Sequence, residues 1–372
     1  MSLRQALHEQ AGYCARLGSP FTARLLRLLA ERWPPGTTPD RIACNWTGDL
    51  GPDGASFPLR LAAGLHALTL GGKAHALAAA YPPHAYCEGR LWHAVEEALT
   101  THKDFWQNWL HRAPQTNEVR RAVALMAAAG LLAERFPQPM QISELGASGG
   151  LNLMFDRFHM QAGGQRFCAT VTRGVEPPCL APDWQGPLPR LVRPKISERR
   201  GVDLHPLDLA NEGDALRLLA YIWPDQPQRM ARTRAAIAVQ IAATGGQVET
   251  ILDKGDAIDW LGPRLDRRLA GMLHLVYHTV AWQYFPKAAQ RRGTAMIEAA
   301  GAQASEDSPL AWLRLEADRH PHGAALSLRL WPGDCQWALA RVDFHGRWVK
   351  WEGPVQLPHC PPQNKDRGVD RA

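Results

Sequence analysis

The sequence predicts an α/β protein in which a largely parallel sheet follows an all-helical N-terminal lobe. Three observations carry this reading. Apolar residues recur at helical spacing from residue 2 to about 136, short apolar strands then alternate with helices, and the run ISELGASGGLNL at 142–153 joins a strand to a helix through small residues. Alternating strands and helices mark a parallel sheet, because parallel neighbours need long crossovers.

In the lobe, Leu3, Leu7 and Ala11, then Leu25, Leu26 and Leu29, then Leu61, Leu65 and Leu68, then Leu91, Val95 and Leu99 form successive helical stripes. Pro34-Pro35, Gly71-Gly72 and Pro82-Pro83 separate the helices. Thr116 suits the N-cap of a long helix through Ala133 that Pro137 and Pro139 end, which sets the lobe at 1–136. In the second domain, 137–356, we read strands at 140–145, 167–172, 247–252 and 272–277, with helices at about 150–161, 227–242 and 287–303. The segments 311–316, 325–331 and 336–343 read as closing strands whose short links suit antiparallel pairing. An irregular insertion at 174–210 carries seven prolines and reads equally as a lid or as a plain structural loop, and 357–372 reads as a disordered tail.

Composition narrows the function classes. A hydrophobic share of 45% and a charged share of 21% are ordinary globular values, which argues against a fibrous or disordered chain. The net charge of +6 comes from well-mixed residues, so a nucleic-acid partner is a minor reading and a small-molecule substrate the main one. Arg190, Arg193, Lys195, Arg199 and Arg200 form the densest basic cluster, which general surface statistics assign to a solvated loop. The seven cysteines show no C-x-x-C pair or metal spacing, so no metal site is expected. No apolar signal core opens the chain and no apolar run reaches the ~20 residues a membrane span needs, so the expectation is a cytoplasmic protein with no membrane contact. The fourteen tryptophans are spread along the chain and read as core packing.

The spacing Glu-x-Gly-x-Ser-x-Gly over 144–150 resembles the first motif of class I S-adenosylmethionine-dependent methyltransferases, an acid followed by Gly-x-Gly-x-Gly, with Ser148 replacing the middle glycine. More widely, QTNEVRRA at 115–122, ELGASGGLNL, RRGVDLHPLDL at 199–209, WPDQ at 223–226, GDAIDWL at 255–261 and HTVAWQYFP at 278–286 resemble the bacterial domain of unknown function family 2332. The first resemblance implies a Rossmann-like methyltransferase-type sheet closed by an antiparallel C-terminal hairpin, and S-adenosylmethionine as cofactor. The second carries no established reaction. On this reading Gly146, Ala147, Ser148, Gly150 and Asn152 form the cofactor turn and Glu144 serves the amino-acid end. Asp256 and Ala257, after the third strand, meet the adenine. A tight turn without a ligand, and helix capping by Asp256, are the plain structural alternatives. Such methyltransferases also carry an acid after the second strand; Thr172 and Arg173 stand there, with Glu176 a little later, so that acid looks missing.

Ligands in open α/β sheets gather outside the carboxyl ends of the strands. Strand four ends near His278, which makes His278 the candidate general base, with Gln283 and Tyr284 as substrate contacts; a hydrogen-bonded structural histidine is the alternative. Gly146-Ala147-Ser148-Gly149-Gly150 also satisfies the Gly-x-Ser-x-Gly elbow of α/β-hydrolases, with Ser148 as nucleophile, Asp256 as acid and His278 or His345 as base. A third class is a non-catalytic protein that binds S-adenosyl compounds. The expectation is a methyltransferase acting on a substrate held between the lobe and the sheet domain.

Overall fold

The computed structural model describes residues 1–267 and 269–356; the expected tail at 357–372 lies outside the described residues. The contacts divide the chain into two compact units, one of 1–116 with 207–234 and one of 117–206 with 235 onward. The helix Ala122–Arg135, which the sequence assigns to the lobe, belongs by its contacts to the second unit.

The first unit is helical. Ser2 and Gln5 form a capping box that starts Leu3–Arg16, and Ser19 caps Pro20–Arg32 with proline at its first position. The apolar stripes predicted from the sequence meet in one core: Leu7, Leu25, Leu29, Leu61, Leu65, Leu91 and Leu99 are fully buried. The helix Glu212–Ala220, capped by Asn211, returns to this unit from later in the chain and was not read from the sequence.

The second unit is built on strands. In chain order they are β1 (Met140–Leu145), β2 (His159–Ala162), β3 (Gln165–Phe167), β4 (Cys179–Leu180), β5 (Asp183–Gln185) and β6 (Ile196–Asp203). They continue as β7 (Leu252–Lys254), β8 (Leu273–Thr279), β9 (Leu310–Glu316), β10 (Ala324–Trp331), β11 (Cys335–Val342) and β12 (Trp348–Gln356). Nine of them form a mixed, mostly parallel sheet in the order β5-β12-β11-β10-β9-β8-β1-β6-β7, and β3-β2-β4 form a small second sheet. From β7 to β9 every neighbour is parallel, while β9 to β12 run as an antiparallel meander. The closing antiparallel part is thus longer than a hairpin, because β12 adds a strand that the sequence reading did not include.

Two expectations are corrected. The sheet neighbour of β1 is not 167–172, whose residues contribute only the end of β3, but β6, inside the supposed irregular insertion. The helix expected at 150–161 is a short 3-10 segment, Leu151–Arg157, followed by β2. Strand β6 carries no strand signal in the sequence, because Glu198, Arg199 and Arg200 in a row break the apolar pattern of a central strand. Each charge has its own partner: Arg199 grips Asp156 at 2.8 and 3.1 Å, Arg200 pairs with Asp253, and Glu198 pairs with Arg264.

Candidate functional site

Chain order runs outward from β1 through β6 and β7 on one side and through β8 and β9 on the other, so the strand order reverses at β1. The crevice outside the carboxyl ends of strands at such a reversal is where open α/β sheets hold ligands. The turn after β1 lies there. Gly146, Ser148 and Gly150 have φ values of +72°, +53° and +72°, so the chain turns left-handed three times within five residues. That conformation favours glycine, and Ser148 tolerates it because its own N–H is held by the Asp203 carboxylate at 2.9 Å. At Gly146 a side chain would also collide with Ala281, since a Cβ there would sit 2.7 Å from the Ala281 Cβ.

Most of the turn's donors are occupied within the protein. The N–H groups of Gly146 and Ala147 both donate to the Val202 carbonyl at 3.0 Å, that of Gly150 to Ala147, and that of Leu151 to the Asn117 side chain at 2.9 Å. Gln240 donates to the Gly149 carbonyl from the helix Pro227–Thr244. Ala147 is fully buried against Gly201, which makes it a packing residue of the turn. What the site offers a ligand is therefore mainly acceptors.

Asp203 is the foremost of these. It closes β6, directly beside the turn, and is half-buried; Oδ2 accepts from Ser148 and Oδ1 from the His205 N–H at 2.9 Å. The strand beside β1 is β6 and not 167–172, and it ends in an acid, Asp203, where the sequence at 172–173 offers none. Glu144 and Tyr277 are paired across β1 and β8 and lie buried together, the Tyr277 hydroxyl 3.5 Å from Glu144 Oε2 and 3.3 Å from the Asn152 carbonyl. Burial pushes the Glu144 carboxyl well above the usual carboxylate range, and the charge of Asp203 adds to the push against the Tyr277 hydroxyl and the Arg121 charge. Burial likewise drives the Tyr277 phenol upward, helped by the Glu144 charge. Asn152, 1% exposed, keeps its Oδ1 with no hydrogen-bond partner, an uncommon state for a buried amide oxygen.

The remaining expected residues fall elsewhere. Asp256 caps the helix Ala257–Asp266, accepting from Ile258 and Asp259 at 2.8 and 3.1 Å, and Ala257 is buried in the core. Asp256 stays half-exposed after β7, so capping and ligand contact remain compatible there. His278 is fully buried: Nδ1 lies 2.6 Å from Glu316, Nε2 accepts from the Trp312 indole at 3.1 Å, and the ring stacks on Trp282. Neither ring nitrogen is open to a substrate proton, and neither pairs with Ser148. Strand alternation also puts His278 on the face opposite Tyr277 and Glu144. Gln283 is exposed and its Oε1 accepts from the Ala317 N–H, while Tyr284 projects at 72% exposure.

Glu316, which the sequence reading missed, organises the loop after β8. Its carboxylate accepts from His278 and from the N–H groups of Ala281, Trp282 and Gln283. Burial pushes this carboxyl up, but the hydrogen bond from His278 and the backbone donors outweigh it and hold it below the usual range. Arg121 ties the same edge together, donating to the carbonyls of Thr279 at 3.0 Å and Phe344 at 2.8 Å. No local sequence signal marks either residue, since each acts across a long separation.

The fold and this edge define an α/β protein with acceptor groups gathered at the carboxyl side of a mostly parallel sheet. The chain belongs to the domain of unknown function family 2332, described as an uncharacterized protein conserved in bacteria, whose model matches residues 4–351. No curated protein matches the chain. No helix among the described residues is long and apolar enough to cross a membrane.

Proposed function

We propose that the second unit binds S-adenosylmethionine at the turn between β1 and the Leu151–Arg157 segment and serves a methyltransferase. The observation that carries this reading is Asp203. An acid at the end of the strand beside β1, next to a left-handed small-residue turn, matches the need of a ribose for a paired acceptor. The orphaned Oδ1 of Asn152 and the acceptors Glu144 and Asp256 fit a ligand that brings hydroxyl and amino donors. Here Asp203 would hold the ribose hydroxyls and Asp256 would meet the adenine amino group, while Glu144 and Asn152 would receive the amino-acid end. The cofactor supplies the methyl group when bound; the protein's part is to orient it and exclude water.

One observation favours a second reading, binding of S-adenosyl compounds without turnover: both nitrogens of His278 are engaged by Glu316 and Trp312, which leaves the proposed base closed. Calorimetric titration with S-adenosylmethionine and S-adenosylhomocysteine tests the proposal without knowledge of the acceptor. Saturable binding is expected, weakened about tenfold or more in Asp203→Asn, which loses the charge on the hydrogen bonds to the ligand. Absence of saturable binding in the folded wild-type protein would overturn it.

A further inference from the structure

The first unit holds a cavity of about 550 Å³ that owes nothing to the sheet edge. Lys73, Arg112 and Arg217 line it together with Phe105 and Trp109. Arg217 is the unusual member. It is 4% exposed, lies on the helix Glu212–Ala220, and rests its guanidinium 4.5 Å over the Trp109 ring. Of its side-chain nitrogens, only Nη2 donates among the described residues, to the carbonyls of Trp109 at 3.5 Å and Arg112 at 3.2 Å. Among the described residues, none of Lys73, Arg112 and Arg217 forms an ion pair with a carboxylate, although buried guanidinium groups are normally paired. Instead the charges of Arg112 and Arg60 bear on Arg217: burial lowers the Arg217 pKa, and those charges lower it further, against Tyr221 and Asp214.

Two carboxylates also line the cavity, and the local structure accounts for both. Asp214 stands in the first turn of its own helix and accepts the Asp208 N–H at 3.1 Å, and Asp104 stands in the first turn of Lys103–Trp109. Acids at those positions complement the helix dipole, as Arg217 does in the last turn of Glu212–Ala220, but the dipole provides no acceptor for the Arg217 side-chain nitrogens other than Nη2, which donate to no group among the described residues. We infer that this cavity is a binding site for a phosphate group, either free phosphate or the phosphate of a small monoester. Two guanidinium groups and an ammonium converging on one cavity suit a tetrahedral oxyanion, and arginine's fixed fork of donors matches phosphate oxygens.

The test is calorimetry on the full chain at low ionic strength, with inorganic phosphate and with glycerol phosphate as the monoester. Saturable binding of at least one is expected. The exposed substitutions Arg112→Ala and Lys73→Ala should each weaken it about tenfold with an unchanged melting temperature. Tighter binding of glycerol phosphate would assign a phosphorylated metabolite, and tighter binding of inorganic phosphate the free ion. No saturable binding of either probe, binding untouched in both variants, or binding abolished by Asp203→Asn at the sheet edge would overturn the inference.

Discussion

Glu144 on β1 and Glu316 on β9 flank β8 from either side, Glu144 buried and Glu316 nearly so, yet their environments drive them in opposite directions. Glu316 collects three backbone N–H groups and an imidazole, so its charged form is stabilised and its pKa is depressed. Its contribution to stability is therefore present above the ordinary carboxylate value and is lost as pH falls through the lowered one. Glu144 has only the Tyr277 hydroxyl at 3.5 Å, so burial dominates and its pKa is raised. The sign reverses: its contribution is fully present below the ordinary value of 4.5 and is lost as pH rises toward the folded value. Glu144→Gln should accordingly raise the melting temperature by roughly a few degrees at pH 8 and leave it little changed near pH 4. Thermal melts of both proteins across that range check this, and equal melting temperatures at pH 8 would show that folding does not raise the Glu144 pKa. Val280 is a second residue-scale feature, a β-branched side chain at φ +55°, directly before the backbone that Glu316 holds. Such a conformation persists only where the surroundings over-determine it, and it lies at the carboxyl end of β8.

At the scale of elements, the turn after β1 and the loop after β8 are built against each other. Gly146 meets Ala281, and Arg121 and Glu316 fix the loop from behind. Gly146→Ala should cost about 2–4 kcal/mol, combining the penalty for a side chain at positive φ with overpacking against Ala281. Denaturant unfolding measures this, and a loss below about 0.5 kcal/mol would mean that the two loops part readily. The turn itself was legible in the sequence because its left-handed residues are mostly glycines and follow a clean apolar strand. The flanking elements were legible only in part. The helix Lys287–Ala302 and strands β8 to β11 have the expected periodicity, whereas β6 hides its strand character behind Glu198, Arg199 and Arg200, whose partners lie 43 to 66 residues away in sequence. Missing β6 meant missing Asp203. His278 was read at the right strand end, but a ring's facing depends on alternation: Glu144 and Tyr277 share one face, and His278 falls on the other with Trp312 and Glu316.

At the scale of the whole molecule, the two units carry distinct concentrations of polar chemistry. The helical unit gathers cations that pair with no carboxylate among the described residues around Trp109, and the sheet unit gathers acceptors around the turn after β1. Membership of the domain of unknown function family 2332 spans both units, from residue 4 to 351. We propose that the acceptor-rich edge receives an S-adenosyl compound. The most direct test of this proposal is a crystal structure of the protein grown with S-adenosylhomocysteine. The account predicts ligand density in the crevice beside Gly146–Gly150, with the ribose hydroxyls on the Asp203 carboxylate and the adenine toward Asp256. Density away from Asp203, or an empty crevice at saturating ligand, would contradict it.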